Sequence, residues 1–180
     1  MSDRVSQTIL LCEDDPQEQL VRNYLQECGL PTLPPRLIVK NASRAEHGGG
    51  IKWVLEHFPA ELKACRQRHA THAKTQLIVM VDADDFTVAD RRLHLVGDPP
   101  VSPADPLALL IAKRHVETWI RAALGDIVNE IDRYKKPQLK RADIRGGAKV
   151  IHGWAHTNPH PGPTCVPSLH AALTEWRKIG

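Results

Sequence analysis

Two apolar, β-prone segments run straight into carboxylates. Thr8-Ile9-Leu10-Leu11-Cys12 ends at Glu13-Asp14-Asp15, and Leu77-Ile78-Val79-Met80-Val81 ends at Asp82-Ala83-Asp84-Asp85. Neither shows the polar alternation of a strand with one wet face, so each reads as a strand buried on both sides. Such strands belong to a parallel sheet covered by helices on both faces. Leu37-Ile38-Val39 and Leu107–Ala112 read as two more strands.

Helical patterns fill the intervals. Pro16 suits a first turn, and Leu20, Val21, Tyr24, Leu25 and Cys28 recur at helix spacing before Gly29 closes the element. A Gly48-Gly49-Gly50 hinge precedes a second helix over 51–73, which Pro59 threatens to split. Thr87 is placed to cap a third helix from Val88 to Leu95, and 115–124 reads as a fourth. Residues 126–149 look basic and mixed. Residues 152–167 hold four prolines and three histidines, so they read as a loop before a last helix capped by Ser168. Strands alternating with helices imply an α/β fold with a mostly parallel central sheet of about four strands. Residues 1–125 form the core, and 126–180 pack on it as part of a single domain.

Composition narrows the function classes. The 24 Lys+Arg against 21 Asp+Glu leave a formal charge of +3, which permits nucleic-acid binding without indicating it. Aromatics at 4% are too sparse for a base-stacking platform. No apolar run approaches the roughly 20 residues of a membrane span. The first residues lack a signal-peptide layout, so the expected compartment is the cytoplasm. Cys12, Cys28, Cys65 and Cys165 form no CxxC pair and read as free thiols.

Ligands of open parallel sheets bind beyond the carboxyl ends of the strands. If the first and third strands are neighbours, Glu13, Asp82 and Asp84 converge there. Like charges at close range must protonate or be neutralised. A hard divalent cation, Mg²⁺ or Mn²⁺, is the natural partner of such oxygen ligands. Asp14, Asp15 and Asp85 read instead as caps and solvated loop acids.

A strand ending in Glu followed by a strand ending in Asp-x-Asp resembles the Toprim signature of primases, topoisomerases and OLD-type nucleases. The segment Lys113-Arg114-His115-Val116-Glu117-Thr118-Trp119-Ile120 is similar to the Glu-x-Trp segment of small OLD-like Toprim proteins, and Pro167-Ser168-Leu169 opening a helix also resembles them. The likeness covers most of 8–124. It departs from the family at Asp14, where a Gly usually follows the first Glu. The resemblance implies a Toprim-like Rossmannoid fold and metal-dependent cleavage of DNA or RNA. It implies metal ligation by Glu13, Asp82, Asp84 and Glu117, with Glu117 serving a second ion. It also implies a partner ABC- or SMC-like ATPase in bacterial anti-phage defence. The chain itself has no Gly-x-x-x-x-Gly-Lys-Ser/Thr loop.

Phosphodiester hydrolysis needs an activated water and a stabilised anionic transition state, which two metals can supply. It also wants a cation at the scissile phosphate. Lys135 is the candidate for that catalytic role. Lys113, Arg114, Lys136, Lys140, Arg141 and Arg145 are candidates for tracking a phosphate backbone.

Two other readings compete. Ile9 to Pro16 looks much like the acidic first turn of a phospho-acceptor receiver domain, with Asp82 as acceptor and Lys113 as its lysine. Against this, the stretch from Asp14 to Asp82 is too long for one strand–helix unit, and that from Asp82 to Lys113 too short. The fold without catalysis, as a binding or regulatory subunit, is the second. Zinc is a lesser alternative: His152, His156 and His160 recur every four residues, but Pro159, Pro161 and Pro163 argue against the helix that would align them.

Overall fold

A computed structural model describes residues 5–46, 49–71, 74–97, 100–131, 138–157 and 160–179. The four expected strands are present as β1 (Gln7–Cys12), β2 (Leu37–Asn41), β3 (Thr75–Asp82) and β4 (Leu107–Ala112). They form one sheet in the order β2-β1-β3-β4, and every pairing is parallel. Helices α1 (Asp15–Glu27), α2 (Ile51–Ala70), α3 (Val88–Val96), α4 (Val116–Ala123), α5 (Arg141–His152) and α6 (Pro167–Trp176) flank it.

Side chains alternate across the sheet, as the strand period requires. Leu10, Cys12, Ile78, Met80 and Leu110 join α1, α4, α5 and α6 in one core. Ile9, Leu11, Leu77, Val79 and Leu109 join α2 and α3 in the other. Trp119 and Trp176 are fully buried in the first of these. Among the described residues no helix is long and apolar enough to cross a membrane.

Three expectations change. α2 runs unbroken through Pro59. The basic stretch contains a helix, α5, which continues as a π-helical turn over Gly153–Thr157, so the segment before Asn158 is helical rather than a loop. Its apolar face is Ile144, Ala148 and Ile151, and Gly147 lies so close to α4 that a Cβ there would meet Ile120 Cγ2 at 3.0 Å. The basic, mixed composition of the stretch thus covers a helix whose apolar face is only three residues wide. Lastly, Val166 rather than Ser168 holds the N-cap position of α6, and no side chain caps the helix there. Ser168 lies buried inside the first turn, donating its hydroxyl to Glu130 and accepting from Trp119 Nε1 at 2.6 Å and Lys113 N at 3.2 Å.

Candidate functional site

The register of the two central strands creates the site. Cys12, the last residue of β1, pairs with Met80, so β3 continues two residues further, to Asp82. Glu13 therefore leaves β1 beside a strand that is still running. Its Oε1 accepts the backbone N–H of Asp82 at 2.7 Å. Gln17, on the first turn of α1 and fully buried, ties the same two residues together. Its carbonyl accepts Glu13 N–H at 2.9 Å, and its amide donates to Asp82 Oδ1 at 3.1 Å.

Asp82 is held from a second side. Its Oδ1 also accepts the N–H of Val116 at 3.1 Å, at the first residue of α4. A carboxylate at a helix N-terminus meets unsatisfied N–H groups and the positive end of the helix dipole. Glu117 follows in the same turn, 3% exposed, with its Oε2 3.8 Å from His115 Nδ1.

Asp84 has φ +52, a left-handed conformation that Asp tolerates better than most residues. The turn leaves its side chain open to solvent, with Oδ2 3.6 Å from Arg91 Nη2. Arg91 comes from α3 and is 4% exposed. It donates to Ala83 O at 3.2 Å, and its guanidinium carbon lies 4.8 Å from the centre of the Phe86 ring. Its Nε has no hydrogen-bond partner among the described residues.

These surroundings raise the pKa of Glu13. Burial is the largest effect and pushes its carboxyl up to about 7; the Asp82 N–H opposes this, Asp84 and Asp14 add to it, and Arg91 opposes it. Gly50, at φ +73, forms the other wall. A Cβ there would lie 3.7 Å from Glu13 Oε2, and no side chain caps α2 at this point. Part of the glycine run is thus placed against the carboxylate, in a conformation that favours glycine.

The four expected metal ligands are not gathered equally. Glu13, Asp82 and Asp84 share the strand ends, while Asp82 and Glu117 are buried. Among the described residues no three of these carboxylates bring ligand atoms within 4.8 Å of one another. Glu13 and Asp84 both offer carboxylate oxygen, the donor type a hard divalent cation takes, and Asp84 lies near enough to raise the Glu13 pKa. Asp82 organises the backbone beneath them. Gln17 and Arg91 escaped the sequence reading: a glutamine in a first helical turn and an arginine in a helix carry no distinguishing pattern.

The other acids have structural partners. Asp14 caps α1, accepting Gln17 N–H at 3.1 Å. Asp15 pairs with Arg44 at 2.7 Å, and Asp85 lies 3.5 Å from Arg114. Of the expected cations, Lys113 Nζ donates to Phe86 O, and Arg114 donates to the carbonyls of Glu130 and Ile131. Both are therefore engaged within the protein. Lys140 precedes α5 as its N-cap. Arg141 and Arg145 line a groove of about 560 Å³ with Arg22 and Arg44, between α1 and α5. Lys135 and Lys136 lie outside the described residues. Compared with known proteins, the chain matches no family, no curated protein and no solved structure.

Proposed function

We propose that this protein is a divalent-metal-dependent nuclease. The observation that carries the reading is Glu13: a carboxylate at the end of a central strand, anchored to Asp82 N–H, faced by Asp84, with its pKa pushed to about 7. A general base works best when its pKa lies near the operating pH. Glu13 accepts the proton of the attacking water, and Asp84 supplies the second carboxylate toward Mg²⁺ or Mn²⁺. When bound, the ion supplies a Lewis acid for the phosphoryl oxygens and lowers the pKa of water. Arg91 limits the build-up of negative charge behind Asp84. Asp82, Gln17 and the N-terminus of α4 fix Glu13 in place.

The arginine groove leads away from the same end of α1. Arg44 pairs with Asp15 and Glu18 there, and Arg22, Arg141 and Arg145 continue the lining. Arg22 and Arg44 are paired with Glu18 and Asp15, so Arg141 and Arg145 are the groove's candidates for phosphates of DNA or RNA. The resemblance to small OLD-like Toprim proteins supports the same chemistry and adds an ATPase partner in anti-phage defence as part of the proposal. The receiver alternative fares less well, because Asp82, its acceptor, is 7% exposed and one of its oxygens is already held by the Gln17 amide and the Val116 N–H.

The test is cleavage of plasmid, single-stranded DNA and RNA with Mg²⁺, with Mn²⁺ and with EDTA. Glu13→Gln and Asp84→Asn should each lower metal-dependent cutting at least about 100-fold, the scale of a missing general base. Cutting that survives EDTA, or is equal in Glu13→Gln, overturns the assignment. No cutting on any substrate points to the regulatory-subunit reading.

A further inference from the structure

At the opposite end of α1 a second cluster forms from residues far apart in the chain. Cys28 follows the last turn of α1, His152 ends α5, and His156 lies in the π-helical turn Gly153–Thr157. One potential ligand atom from each lies within 4.8 Å of the other two. Tetrahedral zinc bound to sulfur at about 2.3 Å and nitrogen at about 2.0–2.1 Å brings its ligand atoms roughly 3.3–3.7 Å apart. Small side-chain rotations close that gap. The two imidazole rings are already neighbours, with centres 4.8 Å apart.

Tyr24 prepares one of them. Its hydroxyl donates to Trp176 O at 2.9 Å, which uses its only proton. The 2.8 Å contact with His156 Nε2 therefore has the hydroxyl oxygen as acceptor and the ring N–H as donor. That tautomer leaves the lone pair on Nδ1. A hydrogen bond to the far nitrogen is the usual way proteins orient a metal-binding imidazole. Tyr24 is fully buried, one helical turn before Cys28 on the same face, and its ring meets His152 edge-on with centres 5.5 Å apart. The Cys28 thiol otherwise makes a long contact to Ile179 O at 3.7 Å.

We propose that Cys28, His152 and His156 bind a borderline divalent cation of the zinc class, fastening the C-terminal end of α1 to the C-terminal end of α5. One sulfur and two nitrogens select Zn²⁺ over Mg²⁺, which requires oxygen. The fourth position faces solvent beside the exposed His156 and takes water or an added ligand. Helix α1, with 13 residues at about 1.5 Å each, separates this cluster from Glu13 by about 20 Å. The site is therefore independent of the nuclease reading.

The experiment titrates chelator-treated full-length protein with Co²⁺, whose thiolate complexes absorb in the near ultraviolet. One equivalent should develop the charge-transfer band, and Zn²⁺ but not excess Mg²⁺ should remove it. Cys28→Ser should abolish the band, and His152→Ala and His156→Ala should each weaken Co²⁺ binding at least about tenfold. Tyr24→Phe leaves the ligands intact and should weaken binding about 10–100-fold, as removal of an orienting hydrogen bond does. Glu13→Gln should leave the band unchanged. Zn²⁺ should raise the melting temperature of the wild type and not of His156→Ala, an exposed position that keeps the fold testable if Cys28→Ser does not fold. Absence of the band, or its persistence in Cys28→Ser, overturns the proposal. So does Co²⁺ affinity in His152→Ala and His156→Ala equal to that of the wild type.

Discussion

Glu13 and Asp82 are joined by a 2.7 Å hydrogen bond from the Asp82 backbone amide to the Glu13 carboxylate, across the ends of two adjacent parallel strands. The bond exists because β3 outruns β1 at this edge. It fixes one carboxylate oxygen and leaves the other against Gly50. A group held this way has a fixed position but a movable proton.

Stability should follow that proton. The carboxyl of Glu13 titrates at about 7 in the fold against an ordinary value of 4.5. The fold therefore favours the protonated form. Its contribution is complete below pH 4.5, declines as pH rises from there, and is gone above about 7. The upper limit is about 3 kcal/mol at 1.36 kcal/mol per pKa unit. Urea midpoints of Glu13→Gln should lack this decline, so the variant gains on the wild type as pH rises from 5 to 8. Adding Mg²⁺ should flatten the wild-type curve.

Asp84→Asn should move the same titration. Removing the neighbouring charge takes away one cause of the rise, so Glu13 should titrate below about 7. A carbon-detected NMR titration of the Glu13 carboxyl reads this directly. The exposed side chain should cost less than about 0.5 kcal/mol of stability.

Asp82→Ala should behave differently from Asp84→Asn. It strands the Gln17 amide and the Val116 N–H in a buried setting. The expected cost is about 2–6 kcal/mol, with each of the two stranded donors costing about 1–3. Denaturant curves should show it before any assay does. Loss of activity in that variant is therefore no measure of metal binding.

Arg141→Ala combined with Arg145→Ala should weaken nucleic-acid binding on every sequence alike. Each phosphate deprived of its arginine should lower the slope of log affinity against log salt by about 0.7–0.9. A fluorescence anisotropy series from about 50 to 200 mM salt would show it. A slope equal to that of the wild type would remove the α1–α5 groove from the binding surface.

Gly147→Ala should destabilise the chain by about 1–3 kcal/mol through overpacking, because the added methyl meets Ile120 Cγ2 at 3.0 Å and its Cα at 3.3 Å. Gly153→Ala, with nothing within 4 Å of the new methyl, should cost nothing or stabilise slightly. Paired thermal melts distinguish the two.

The strands were legible because burial on both faces leaves an uninterrupted apolar run, and Glu13 and the Asp82–Asp84 pair were legible because they interrupt it. Helix α5 was not, since the stretch reads as basic and mixed, and its thin apolar face of Ile144, Ala148 and Ile151 gains meaning only once Ile120 is seen across from Gly147. Gln17 and Arg91 gain their meaning only from what the fold sets opposite them. The Cys28–His152 juxtaposition is harder still. It needs α5 laid along α1 and a π-turn continuing it, neither of which a local pattern encodes.

Helix α1 reaches both centres: Gln17 grips the two strand ends, and Tyr24 and Cys28 face the histidines. One packed helix therefore sets where both groups of side chains stand, so a shift of α1 as a body would displace Gln17 and Cys28 together.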